Sequence, residues 1–126
     1  MRLFHCSNIK TDDYLDPQLG FSRHGGEDPR FADVPGIWFS DDPNFIRQVE
    51  GKVQTYKYEV EIEETDPNLE LDQKLVNGIA IFNKELNCNE SVKWYFYTAR
   101  AKIVKRYIWS GKSYVSDESF LQVCDD

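Results

Sequence analysis

Phe31-Ala32-Asp33-Val34-Pro35-Gly36-Ile37-Trp38-Phe39-Ser40-Asp41-Asp42-Pro43 is the stretch on which the reading of this chain turns. Pro35-Gly36 is turn chemistry and Ile37-Trp38-Phe39 is strand chemistry, so residues 36–40 form a short strand entered from a turn. The apolar burst stops on Ser40-Asp41-Asp42-Pro43. A strand that only fills a core can end more simply. A strand that presents a large aromatic at the mouth of a pocket ends in this way. Its partner is sought in Leu3-Phe4-His5-Cys6-Ser7-Asn8, where residues 2–6 read as a strand carrying a histidine near its end.

The rest of the chain is strand-rich. Residues 8–35 hold Pro17, Gly20, Gly25, Gly26, Pro29 and Pro35, a long irregular connection of the kind that is functional or mobile in compact domains. Asp42-Pro43 opens a helix through residues 44–49, with Asp41 or Asp42 as its N-cap. In residues 53–63, Tyr56, Tyr58, Val60 and Ile62 alternate with Lys57, Glu59, Glu61 and Glu63, the period of a half-buried strand. Leu75, Val76, Ile79, Phe82 and Leu86 carry the spacing of an amphipathic helix over 72–87. Residues 91–99 and 101–109 read as two further strands, and the tail around Tyr114-Val115 adds an edge strand or turn. The pattern is that of a single α+β domain spanning residues 1–126, with at most two helices.

Composition narrows the function. A hydrophobic share of 40% with 14% aromatics supports a packed core rather than a disordered chain. No run approaches the length of an apolar membrane span, and Met1-Arg2-Leu3-Phe4-His5 lacks a signal-peptide core, which reads as a cytoplasmic protein. Cys6, Cys88 and Cys124 have neither metal-ligand spacing nor an even count for a disulfide framework. A net charge of −7 argues against direct nucleic-acid binding. The charge is uneven, however. Residues 59–72 carry seven acids and no base, whereas residues 93–112 carry six bases and no acid. Two solvated faces account for this, and so does a basic segment facing an anionic ligand.

The order of these pieces resembles the ADP-ribosyltransferase superfamily, in its poly-ADP-ribose-polymerase-like or diphtheria-toxin-like branch. That family's first motif reads His-Gly-Ser after an apolar residue, and here it is Phe4-His5-Cys6-Ser7. Its second reads Gly-Ile-Tyr-Phe-Ala, and here it is Gly36-Ile37-Trp38-Phe39-Ser40. The third is a Glu opening a late strand, and Lys93-Trp94-Tyr95-Phe96-Tyr97 occupies that place. Some small phage counter-defence proteins, including one anti-CRISPR family, are similar to minimal versions of this fold. The resemblance implies a small split β-sandwich of two facing sheets with one or two helices, His5 and Trp38 lining one cleft, and NAD as substrate.

It also implies roles. His5 holds a ribose, the Cys6 backbone and Ser7 meet the nicotinamide side, and Trp38 stacks on the pyridinium face, with Gly36, Phe39 and Ser40 completing the second motif. Such a site must fix the ring and the riboses and stabilise positive charge as the glycosidic bond breaks. Arg23 or Arg30 from the long loop meets the diphosphate. Lys93 cannot do the work of the family's Glu, because a cation opposes the developing charge, so Glu90 is the catalytic candidate beside His5 and Trp38, with Asp41 and Asp42 as further acids. The expectation is transfer of a single ADP-ribose to a protein or other macromolecule, the target carrying a basic surface. The alternative is a catalytically inactive acidic binding or inhibitor protein on the same fold, a phage anti-defence protein or nucleotide binder.

Overall fold

A computed structural model describes residues 1–18, 34–71 and 93–120. Ten strands occur in these segments: β1 (Arg2–Ser7), β2 (Tyr14–Leu15), β3 (Ile37–Ser40), β4 (Gln48–Val49), β5 (Lys52–Val53), β6 (Tyr56–Glu61), β7 (Leu69–Leu71), β8 (Trp94–Tyr97), β9 (Ala101–Trp109) and β10 (Tyr114–Ser116). Eight of them form one antiparallel sheet in the order β10-β9-β6-β1-β3-β8-β7, with β2 paired to β9, while β4 and β5 form a separate hairpin. No helix occurs among the described residues. The α+β split sandwich of two facing sheets is therefore corrected to a single all-β sheet. The helix expected over 72–87 lies outside the described residues.

The segment read as a helix over 44–49 folds otherwise. Asp42 does start a turn, its carboxylate accepting the Asn44 N–H at 2.9 Å and its carbonyl the Phe45 N–H at 3.1 Å. The turn does not propagate. Glu50 and Gly51 both take positive φ, 53° and 78°, the backbone of a tight hairpin, and Gln48↔Val53 and Val49↔Lys52 close β4 on β5. Six residues after a proline hold too few turns to outweigh this local pairing.

One face of the sheet carries the main core. Leu3, Ile37, Phe39, Tyr58, Val60, Ile62, Tyr97 and Ile103 pack there, with Leu15 from β2 laid over them. Between Glu59 and Val60 the register with β9 slips, Tyr58 facing Arg106 and Val60 facing Ile103. This bulge turns Arg106 to the same face as Ile103. Arg106 is fully buried and donates to Asp117 at 2.8 Å, Asp12 at 2.5 Å, the Thr11 carbonyl at 3.1 Å and Ser119 at 3.0 Å. Tyr58 adds a clamp, its hydroxyl donating to the Ile9 carbonyl and accepting the Thr11 N–H. The opposite face is covered too. Lys57 and Glu59, read as solvent-facing positions of a half-buried strand, are 3% and 8% exposed.

Candidate functional site

β1 and β3 lie side by side, but their recognised pairing is the single pair Phe4↔Ser40. Alternation shows what is missing. Ile62 N–H donates to the Met1 carbonyl, extending the β1–β6 ladder, so odd residues of β1 bond to β6 while Phe4 and Cys6 turn their N–H and C=O toward β3. Asp41 N–H donates to the Lys93 carbonyl, extending the β3–β8 ladder, so Trp38 and Ser40 turn theirs toward β1. The next rung would join Cys6 to Trp38. Instead, His5 Nδ1 meets the Trp38 carbonyl at 2.8 Å. The imidazole stands where the ladder stops, and the Cys6 backbone groups point into the seam beyond the last rung.

The carbonyl can only accept, so Nδ1 carries the hydrogen and Nε2 presents a lone pair. Burial pushes the His5 pKa down to about 4, against the contrary pull of the Trp38 carbonyl, and the charge of Arg47 lowers it further. The ring is thus neutral at pH 7. It can accept from a ligand hydroxyl through Nε2 but has no second N–H to donate.

The register corrects one expectation. Directly opposed residues share a face, so Phe4, Cys6, Trp38 and Ser40 lie on one side of the sheet and His5 goes with Phe39 on the other, their rings 5.9 Å apart. His5 and Trp38 are bonded neighbours across the seam, but their side chains leave opposite faces and do not line one side of a cleft. The period of two makes this unavoidable once Phe4 pairs with Ser40.

On the Trp38 side, the indole sits 4.8 Å from the Phe96 ring, and Phe45 packs perpendicular to Trp94 at 4.7 Å. Segment 43–54 folds over this face. Lys57 Nζ donates to the Pro43 carbonyl at 2.7 Å and lies 4.6 Å from the Tyr114 ring centre, and burial lowers its pKa. The Tyr114 hydroxyl donates to the Gln54 carbonyl at 2.6 Å. Burial raises the Cys6 pKa, against smaller lowering influences of Tyr114, Lys57 and Arg47. Cys6 is a small buried filler held neutral.

The remaining candidates divide. Gly36 lies under Phe96, where an added Cβ would meet the ring at 2.1 Å, so packing alone demands glycine here. Phe39 and Ser40 are fully buried, and Ser40 Oγ accepts the Asp42 N–H at 3.1 Å. Ser7 Oγ accepts the Ile9 N–H at 3.0 Å, closing the turn after β1. Arg23, Arg30 and Glu90 lie outside the described residues. At the third motif, Lys93 is exposed, and its N–H donates to the Asp41 carboxylate at 2.9 Å. Trp94 follows, buried, with its indole N–H lacking a hydrogen-bond partner. It is a donor where an acid would accept.

Sequence reading missed Arg47 and Lys57. Arg47 was assigned to a helix, although Gly51 between Val49 and Val53 is a hairpin signal. Lys57 belonged to the outward set of an alternating strand, and nothing nearby announces that its face is covered. Among the described residues, no group of three or more His, Cys, Asp or Glu is placed to hold a metal ion, and no helix is long and apolar enough to cross a membrane. Comparison with protein-family models, curated proteins and solved structures returns no match for this chain.

Proposed function

We propose that this protein binds NAD at the β1–β3 seam and, as an ADP-ribosyltransferase-like protein, transfers a single ADP-ribose to a macromolecular target in the cytoplasm. The observation that carries the reading is the His5–Trp38 bond at the point where the ladder stops. It ties the first motif to the second where the ladder stops, and the Cys6 N–H and C=O, which alternation turns toward β3, are the pair of groups a carboxamide needs. A nicotinamide ring held there lies on the Trp38 face of the sheet, and His5, whose side chain leaves the opposite face, acts through its bond to the Trp38 carbonyl rather than by touching the same ligand. Arg47 and Lys57 lend positive charge to this part of an acidic chain. The target presents a basic surface to the acids of residues 59–70, of which Glu61, Glu63, Glu64 and Glu70 are exposed. The resemblance to small phage counter-defence proteins makes a defence component of the host the class of target to screen.

A second reading is favoured by one observation. The place of the catalytic acid holds Lys93 and Trp94, which supports an inactive binding protein on the same sheet. One experiment separates the two. Calorimetry with NAD, followed by mass spectrometry for nicotinamide, should give binding and release, with Glu90→Gln abolishing release and leaving affinity nearly unchanged. Binding without release by the wild-type protein selects the second reading. Absence of NAD binding overturns the first.

A further inference from the structure

We propose that β10 is a homodimer edge: two copies of this chain join antiparallel along Tyr114–Ser116, with a two-fold axis through Val115. β10 ends the sheet, and among the described residues it pairs with β9 alone. Its ladder shows which groups remain. Ser110 N–H donates to the Ser113 carbonyl and Asp117 N–H to the Arg106 carbonyl, the rungs on either side of Tyr114↔Trp109, Val115↔Ile108 and Ser116↔Tyr107. Odd residues of β10 therefore bond to β9, while Tyr114 and Ser116 turn their N–H and C=O outward. An outward row of this kind is a template for another strand, and natural edges are blunted with charge, proline or a bulge. Tyr114-Val115-Ser116 carries none of these.

Symmetry points to a second copy as the occupant. In antiparallel pairing the outward residues must meet, and the register that aligns all of β10 sets Tyr114 opposite Ser116 of the second copy, each such pair exchanging both hydrogen bonds. Val115 then faces Val115 of the second copy at a non-hydrogen-bonded position, where opposed side chains approach most closely. Val115 is 43% exposed, one of four large hydrophobics left so among the described residues. Its row continues into half-buried Ile108. The dimer thus extends an apolar row across the axis and covers a valine that the single chain leaves in water. Charge agrees. The same register brings exposed Lys112 to the end of the strand where exposed Glu118 of the second copy lies, and the two-fold repeats that pair. One three-residue strand is a small contact, so the dimer is a weak one that forms as concentration rises.

Sedimentation velocity over a concentration series tests this, on the wild-type protein and on variants checked for fold by circular dichroism. The wild-type protein should dimerise reversibly. Val115→Lys, which sets two like charges face to face in place of two apolar groups, should weaken dimerisation about 10-fold or more. Ser116→Pro removes an outward N–H and leaves the bonding of Val115 to Ile108 alone, so it should weaken the dimer likewise while the sheet stays intact. Lys112→Glu should weaken it by a smaller factor, and adding Glu118→Lys should restore it. Should Val115→Lys fail to fold, Ser116→Pro decides alone. A wild-type protein that stays monomeric up to about 1 mM overturns the proposal. So does a dimer that survives both Val115→Lys and Ser116→Pro, because its contact lies elsewhere. A loss in Lys112→Glu that Glu118→Lys does not reverse overturns the register.

Discussion

Two arginines on opposite sides of one sheet meet opposite fates. Arg106 is fully buried, and its guanidinium is spent on Asp117, Asp12, Ser119 and the Thr11 carbonyl. Arg47, at the base of the β4–β5 hairpin, has its carbonyl fastened to the Gln54 N–H and no ion-pair partner among the described residues. A buried charge must be paired or its desolvation is not offset. Arg106 is paired by the chain itself, joining the 11–12 turn and the 117–119 turn to the core face. Arg47 is only half-buried, so water can solvate a charge that no described carboxylate matches. The difference teaches that full burial, and not positive charge as such, is what makes the fold supply carboxylates to an arginine.

The largest expected effect attacks the Arg106 half of this contrast. Arg106→Met should destabilise the protein by about 3 kcal/mol, the lower end of the range for breaking a buried ion pair. The lower end applies because Asp12 is largely exposed and rehydrates when abandoned, whereas Asp117 does not. Urea denaturation measures it. A loss below about 1 kcal/mol would mean that the hub is ornamental, and the comparison would lose one side.

The histidine wedge comes next. Its folded pKa, about 4, lies below its ordinary value of 6.5, so between these limits the unfolded chain binds more protons. Stability contributed by neutral His5 is fully present above pH 6.5 and falls as the pH drops toward 4, by up to about 3 kcal/mol. Denaturation midpoints across that window should slope less in His5→Gln, whose amide can still donate to the Trp38 carbonyl. Equal slopes in both proteins would place the imidazole in solvent and close the seam as a site.

Trp38→Ala sharpens the seam half. Loss of a stacking aromatic should weaken NAD by roughly 1–3 kcal/mol. Phe96 and Trp94 remain to keep their face packed, so circular dichroism should stay unchanged. Unaltered affinity would return Trp38 to a purely packing role against Phe96.

Much of the frame was legible. The alternation over 53–63 fixed β6, the apolar runs at 2–6, 36–40, 91–99 and 101–109 located β1, β3, β8 and β9, and Tyr114-Val115 marked an edge strand. What escaped depends on contacts made far along the chain. Whether Lys57 and Glu59 face solvent is decided by segments 43–54 and 101–116 folding beside them, which period-two alternation cannot express. Whether His5 and Trp38 share a face is decided by pairing Phe4 with Ser40, and a slip of one residue would reverse the answer. Asp41 or Asp42 is expected to cap a helix over 44–49, and Asp42 instead holds a single turn, because a capping signal says where a helix can start and nothing about how long it lasts. In the same way, the motif order drew attention to Arg23 and Arg30 and passed over Arg47.

The smallest expected effect tests that last point most sharply. Arg47→Ala should change folding stability by no more than about 0.5 kcal/mol, the range for a surface position that breaks no paired group. Three features argue for so little. Alanine keeps the carbonyl that accepts the Gln54 N–H. The hairpin conformation is set by Glu50 and Gly51, which the substitution leaves alone. Removing a cation near His5 also eases whatever charge that ring takes up, a change of favourable sign below pH 6.5 and of none at pH 7, where the ring is neutral. Guanidinium denaturation at pH 7 should therefore overlay the wild-type curve. A loss of 2 kcal/mol or more would show that Arg47 is built into the fold as firmly as Arg106, and the contrast between the two arginines would collapse.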